Sequence, residues 1–134
     1  MNLLDIVFNK EFLVKLFPQG LAEELIVGLI EFDPFGNTTV ALHTRQQPAM
    51  EVKKWGRWGE NYNTTVVILS ISRIKEFSVR NISGALYSKV ELVEVEGGFR
   101  LAQQSDGWSF HMVFDHISFD SCRIYIDGDD DICE

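Results

Sequence analysis

The stretch Thr64-Thr65-Val66-Val67-Ile68-Leu69-Ser70-Ile71-Ser72 decides the fold class of this chain. Its β-branched and apolar residues are typical of a central β-strand. Segments that alternate with a period of two, or are rich in apolar residues, lie on both sides of it, with turn residues between them. They span residues 24–33, 38–45, a segment from 74 that ends near 80–81, 86–96, a segment from 99, 108–114 and 117–126. We therefore expect seven or eight strands, joined mostly by short turns.

The N-terminal residues have a different period. Apolar residues between Leu3 and Leu16 recur near 3.6, which predicts a helix over residues 3–17 that ends at Pro18 and Gly20. The 134 residues, 46% of them hydrophobic, suit a single domain over 1–134. The expected fold class is α+β: an N-terminal helix packed on a mainly antiparallel, curled or sandwiched β-sheet.

The first predicted strand, residues 24–33, has apolar residues at both parities. Strict alternation places Leu25, Val27 and Leu29 on one face and Ile26, Ile30 and Phe32 on the other. We therefore expect a strand that is partly covered on both faces.

The net charge of −8 is concentrated in the C-terminal part of the chain. Residues 1–82 carry nine bases and nine acids, whereas residues 83–134 carry three bases and eleven acids. Nucleic-acid binding needs clustered Lys and Arg, so the charge disfavours it. An acidic surface favours a cationic partner, although acidic side chains also simply keep a protein soluble.

No long apolar run or basic leader is present. The start carries Asp5 within its apolar residues, and no stretch reaches the roughly 20 apolar residues of a membrane helix. We expect a cytoplasmic protein with no membrane contact. Cys122 and Cys133 are either two free thiols or a disulfide that ties down the tail. An isolated pair of cysteines cannot hold zinc, so we predict no metal site and no cofactor.

Two groups of residues invite a functional interpretation. His111, Asp115 and His116 could act in general acid–base catalysis, but no nucleophile motif accompanies them, and we predict no catalytic residues. The linker 53–63 contains Trp55 and Trp58 among glycines and bases. Tryptophan is enriched at binding hot spots, but these two could equally fold back onto the core.

The order of these features resembles a known family. It comprises the helix ending in Phe17-Pro18, the hairpin 24–45, the linker Trp55-Gly56-Arg57-Trp58 leading into the strand at 64–72, Ile74-Lys75-Glu76-Phe77, the acidic strand 90–96 and the aromatic strand 108–114. Together these are similar to immunity protein family 50 of bacterial polymorphic toxin systems. The resemblance implies a cytoplasmic protein that binds and neutralises a toxin domain of its own cell or of kin. It assigns no catalytic or contact residue to a position of this chain.

The main hypothesis is therefore a non-catalytic immunity protein, a monomer or homodimer, whose acidic C-terminal face occludes a cognate toxin. A basic nuclease is one candidate for that toxin. The candidate contacts are Glu91, Glu94, Glu96, Asp106, Asp115 and Asp120, with Trp55 and Trp58 at the rim. Glu91 differs in strand parity from Glu94, so these two need not share a face. A small enzyme that uses His111, Asp115 and His116, and a structural or adaptor β-domain, remain the alternatives.

Overall fold

The computed structural model describes residues 1–127 and contains eight strands. These are β1 (Glu24–Phe32), β2 (Asn37–Thr44), β3 (Thr64–Ser72), β4 (Glu76–Arg80), β5 (Ser88–Val95), β6 (Gly98–Ser105), β7 (Trp108–Phe114) and β8 (His116–Tyr125). The expected number of strands is confirmed, and β3 and β7 have the predicted bounds. Helical structure is limited to short segments, so the α+β class describes the protein only roughly.

All eight strands belong to one antiparallel sheet with the order β4-β7-β6-β5-β1-β2-β3-β8. The first half-sheet consists of β1, β2, β3 and β8, and the second of β4, β5, β6 and β7. The chain enters the second half-sheet after β3 and returns at Asp115 to place β8 beside β3.

The sheet is strongly curled. Phe32 of β1 and Phe77 of β4 have ring centroids 5.1 Å apart, although their strands are four positions apart in the sheet. In a flat sheet that separation would be roughly 19 Å. The two half-sheets therefore face each other across their inner surfaces, as predicted for a curled sheet.

One core fills the space between the inner faces. Residues from both half-sheets and from the N-terminal segment belong to it: Leu13, Leu16, Leu42, Val67, Leu69, Leu101, Met112, Phe114 and Ile117 are each at most 1% exposed. These residues alternate along their strands with outward-facing neighbours, which is the pattern expected when one face of a sheet is buried.

Gln103 reinforces the joint between the half-sheets. β1 and β5 pair only at Glu24–Lys89 and Leu25–Ser88. The buried Gln103 side chain donates from Nε2 to the carbonyl oxygens of Leu25, at 2.6 Å, and Ser88, at 2.8 Å. A side chain of β6 thus supplies hydrogen bonds where the strand ladder is shortest.

The prediction of one helix over residues 3–17 is wrong. A 3₁₀ turn spans Leu3–Asp5 and the α-helix, α1, spans only Glu11–Leu16. Between them the backbone of Phe8 pairs with β8, and Asn9 adopts a positive φ of 60°. Most residues of the apolar stripe are buried (Leu3, Leu4, Val7, Leu13 and Leu16), but Phe8 is 58% exposed. Pairing with the sheet replaces the helical hydrogen bonds in the middle of the segment.

The predicted alternation along β1 fails at Gly28. The pairing with β2 shifts between Val27 and Leu29, so the strand contains a β-bulge. A Cβ at Gly28 would collide with the imidazole of His43, which explains the need for glycine. Leu25 and Val27 are buried as expected, but beyond the bulge Leu29 is 50% exposed and Ile30 packs against the core.

Candidate functional site

The register of the second half-sheet aligns four side chains across its outer face. Ser78 of β4 lies beside His111 of β7, His111 beside Ala102 of β6, and Ala102 beside Glu91 of β5. Cross-strand neighbours on one face lie about 5 Å apart. Residues distant in sequence are thereby brought into one row.

A depression of about 500 Å³ lies over this row, and we call it the outer depression. Its centre has small side chains, Ser78, Ala102 and Ser109. Its walls carry long or bulky polar side chains: Lys89, Glu91, Arg100, Gln104 and His111. The contrast in side-chain length between centre and walls creates the concavity on an otherwise continuous sheet.

The charges around the outer depression are only partly used within the protein. His111 Nε2 lies 3.3 Å from Glu76 Oε1, and Lys89 Nζ lies 3.8 Å from Glu23 Oε1. Within residues 1–127, neither Glu91 nor Arg100 has an opposite charge within 4.0 Å. These two charges therefore remain available to a partner.

Three of the predicted contact residues lie at one end of the second half-sheet. Glu94 is at the end of β5, Glu96 is in the β5–β6 turn, and Asp115 follows β7. Two bases are interleaved with them. Arg73 Nη1 lies 3.7 Å from Asp115 Oδ2, and Lys75 Nζ donates to the carbonyl oxygen of Gly97 at 2.5 Å.

The other predicted acids lie elsewhere. Asp106 is in the β6–β7 turn, and the seven residue steps of β6 separate that end of the half-sheet from Glu96 by roughly 23 Å. Asp120 lies at the bulge of β8 in the first half-sheet. Glu91 is on the outer face, whereas Glu94 has the opposite parity, as its sequence position predicts. The structure therefore distributes the six carboxylates over separate regions instead of one acidic face.

The tryptophan linker is largely part of the core. Trp55 is 8% exposed and packs edge-on against Phe12 and Tyr62. Trp58 is half-buried and packs edge-on against Tyr62, with ring centroids 5.3 Å apart. Trp55 thus takes the core-packing role that the sequence left open, and Trp58 lies at the edge of the core.

The residues of the enzyme alternative have separate partners. His111 faces Glu76 on the outer face of β7, Asp115 lies beside Arg73, and His116 stacks on Phe8 with ring centroids 4.5 Å apart. No hydrogen bond in the described part of the chain joins any two of the three groups. His111 and Asp115 are four residues apart along extended backbone, roughly 13 Å.

His43 lies half-buried on the outer face of the first half-sheet. Its Nδ1 is 2.9 Å from the hydroxyl of Tyr125, and its ring lies over Gly28. Burial lowers the pKa of His43 below its ordinary value, since desolvation penalises the charged ring. On the inner side of β8, burial raises the pKa of the Cys122 thiol to about 12. Cys133 lies outside the described residues, as does its pairing with Cys122.

Several residues of the outer depression are absent from the sequence-based contact set, namely Ser78, Lys89, Arg100 and Gln104. The sequence contains a signal for the three that lie on β5 and β6, Lys89, Arg100 and Gln104. The tight turns at Gly97-Gly98 and Ser105-Asp106-Gly107 set the β5–β6–β7 register, which places Glu91, Ala102 and His111 in one row. The pairing of β4 with β7 has no such local signal.

Across residues 1–127, no three His, Cys, Asp or Glu side chains are grouped to hold a metal ion. In the same part of the chain, no helix has the length and apolar character needed to cross a membrane. The chain matches no family model, and comparison with curated proteins and with solved structures gives no match.

Proposed function

We propose that this chain is a non-catalytic immunity protein that binds and neutralises a cognate bacterial toxin domain in the cytoplasm. The observation that carries the proposal is the outer depression, a shallow polar concavity on four hydrogen-bonded strands. The resemblance in the order of sequence features points to the same function. Contact through this surface needs no chemistry from the immunity protein itself.

The outer depression suits the recognition of protein side chains. Glu91 and Arg100 carry opposite charges on adjacent strands and have no ion-pair partner within 4.0 Å among residues 1–127. A partner that places a basic group at Glu91 and an acidic group at Arg100 would satisfy both. Such paired complementarity specifies one docking orientation. The paired strands hold the site in place, so little conformational entropy is lost on binding.

The distributed acids have a second role in the proposal. Glu94, Glu96 and Asp106 lie at the two ends of the half-sheet that holds the outer depression. Their field attracts a basic toxin from a distance and raises the association rate. The acidic surface therefore steers the partner, and the outer depression selects it.

Co-expression with the toxin domains encoded beside the gene of this chain tests the function. The wild-type chain should restore growth, and Glu91→Arg should abolish protection because it places a positive charge beside Arg100. Glu60→Arg is the matched control: it makes the same charge change on the exposed linker, where the Glu60 carboxylate lies 3.6 Å from Arg57 Nη1. It should protect as well as the wild type.

Failure of the wild-type chain to rescue growth against every such toxin would contradict the immunity function. Equal protection by both variants would be compatible with the immunity function, but it would exclude the outer depression as the surface that contacts the toxin. For a toxin that is neutralised, stopped-flow binding tests the steering. The triple variant Glu94→Gln, Glu96→Gln and Asp106→Asn should associate more slowly, with a flatter salt dependence and an unchanged dissociation rate.

A further inference from the structure

The two edge strands of the sheet differ in how well they are protected from pairing with another chain. The edge strand β8 is covered in part by Phe8, whose backbone NH donates to Ile117 and whose carbonyl accepts from Phe119. It also contains a bulge at Asp120. Covers and bulges are the usual devices that prevent an edge strand from pairing with another chain.

The other edge strand, β4, has neither device. Its five residues pair with β7 in an unbroken register, and four of them are exposed. Among residues 1–127, no strand or bridge pairs with its second edge. It therefore presents unpaired backbone NH and CO groups to solvent.

The sequence of β4, Glu76-Phe77-Ser78-Val79-Arg80, is complementary to itself in an antiparallel pairing. A two-fold axis at Ser78 places Glu76 opposite Arg80 of a second copy, and Arg80 opposite its Glu76. It also places Phe77 opposite Val79. Charges that protect an edge against self-pairing would repel a second copy, whereas here each charge meets its opposite.

The inner side of this edge is apolar and incompletely covered. Val79 is 37% exposed, Phe32, which packs against Phe77, is 54% exposed, and Ile82, two residues after β4, is 50% exposed. Phe77 contacts Phe32 and Phe110, so the exposed residues continue directly from the core. A second β4 would cover part of this surface with its own Phe77 and Val79.

We propose that two copies of this chain pair through β4 into a two-fold symmetric dimer with one continuous sheet. Ser78 lies both at the axis and among the small side chains at the centre of the outer depression. The two outer depressions therefore become neighbours on one surface. The β4 edge is distinct from the Glu91 contact on β5, so the dimer does not depend on the identity of a toxin partner.

Sedimentation equilibrium of the full chain, combined with charge exchange, tests the pairing. Wild type should show a reversible monomer–dimer equilibrium. Glu76→Arg and Arg80→Glu each turn two attractive pairs into two repulsive ones, so each should weaken dimerisation by about tenfold or more. The double variant Glu76→Arg/Arg80→Glu restores both pairs and should dimerise within about threefold of wild type.

Mixing the two single variants gives the sharpest outcome. Each is repelled by its own copy, but together they recreate two attractive pairs, so native mass spectrometry should detect mainly the heterodimer. Glu60→Arg is the control for the change of net charge and should dimerise like the wild type. Far-UV circular dichroism verifies that every variant is folded.

Three results would overturn the proposal. The first is a wild-type chain that stays monomeric at every concentration. The second is a dimer whose stability does not depend on the charge at positions 76 and 80, because a different surface must then form the interface. The third is association only with a toxin domain that adds its own strand to β4.

Discussion

The two half-sheets share one core but present different outer faces. In the first, Val66 lies between His43 and Arg123, and Ile68 between Ala41 and Ser121. Val66 and Ile68 are each 8% exposed, although they point away from the core. In the second, the corresponding positions carry Glu91, Arg100 and His111 around the small Ala102.

The two half-sheets have the same kind of backbone pairing, but their outer faces have different roles. On the first half-sheet the outer side chains pack together, so this face adds to the stability of the fold. On the second, exposed charges contribute little to stability. They are therefore available for contact with other molecules, which is where the outer depression lies.

The largest expected effect tests whether the half-sheets share a core. Leu69→Ala in the first half-sheet and Leu101→Ala in the second remove buried side chains that are each 1% exposed. Each should lower the free energy of unfolding by about 2–5 kcal/mol, since a cavity replaces packed atoms. Urea unfolding followed by tryptophan fluorescence and by circular dichroism measures both.

The shared core also predicts one cooperative transition for wild type and for each variant, with coincident curves for the two probes. Phe35→Ala is the control, since Phe35 is 85% exposed, and it should change the free energy of unfolding by less than about 0.5 kcal/mol. Two separated transitions would show that the half-sheets unfold independently.

The second prediction compares the outer faces directly. Ile68→Ala on the first half-sheet should lower the free energy of unfolding by about 1–3 kcal/mol, because it removes atoms from a buried cluster. Arg100→Ala on the second should lower the free energy of unfolding by less than about 0.5 kcal/mol, because Arg100 has no ion pair to lose among residues 1–127. The same urea experiment measures the change in the free energy of unfolding for both variants. Equal changes would show that the two outer faces contribute equally to stability.

The smallest effect concerns the pH dependence of the first outer face. His43 has a lowered pKa in the folded protein, so the unfolded chain takes up the proton first as the pH falls. Its contribution to stability is therefore complete above pH 6.5. That contribution decreases as the pH is lowered from 6.5 towards the folded pKa.

The variant His43→Asn isolates this contribution, because asparagine keeps a polar group near Tyr125 and does not titrate. The difference in free energy of unfolding between wild type and variant should shrink between about pH 7 and pH 5. A difference that stays constant with pH would show that His43 is protonated equally readily in both states.

Much of the strand content was accessible from the sequence, because alternation and turn residues act locally. The bounds of β3 and β7 follow from residue type alone, and the turn at Gly97-Gly98 marks the hairpin that places Glu91 beside Ala102. The parity argument also separates Glu91 from Glu94. Here each inference needs only neighbours in the chain or across one tight turn.

The misassigned features all depend on distant contacts. Phe8 leaves a helical pattern because the edge of β8 offers it backbone partners. Alternation in β1 shifts at Gly28 because the ring of His43 occupies the space of a side chain. The predicted acidic face is dispersed because β6 separates its two turns.

Local sequence therefore specifies which segments are strands, which residues alternate inward and where the excess negative charge lies in the chain. Only the tertiary structure brings β4 beside β7, and β8 beside β3, because the paired residues are at least 29 positions apart in the first case and at least 44 in the second. Side-chain period and turn chemistry carry no information over such distances. The outer depression and the free β4 edge both arise from that long-range pairing, which buries the two inner faces in a single core.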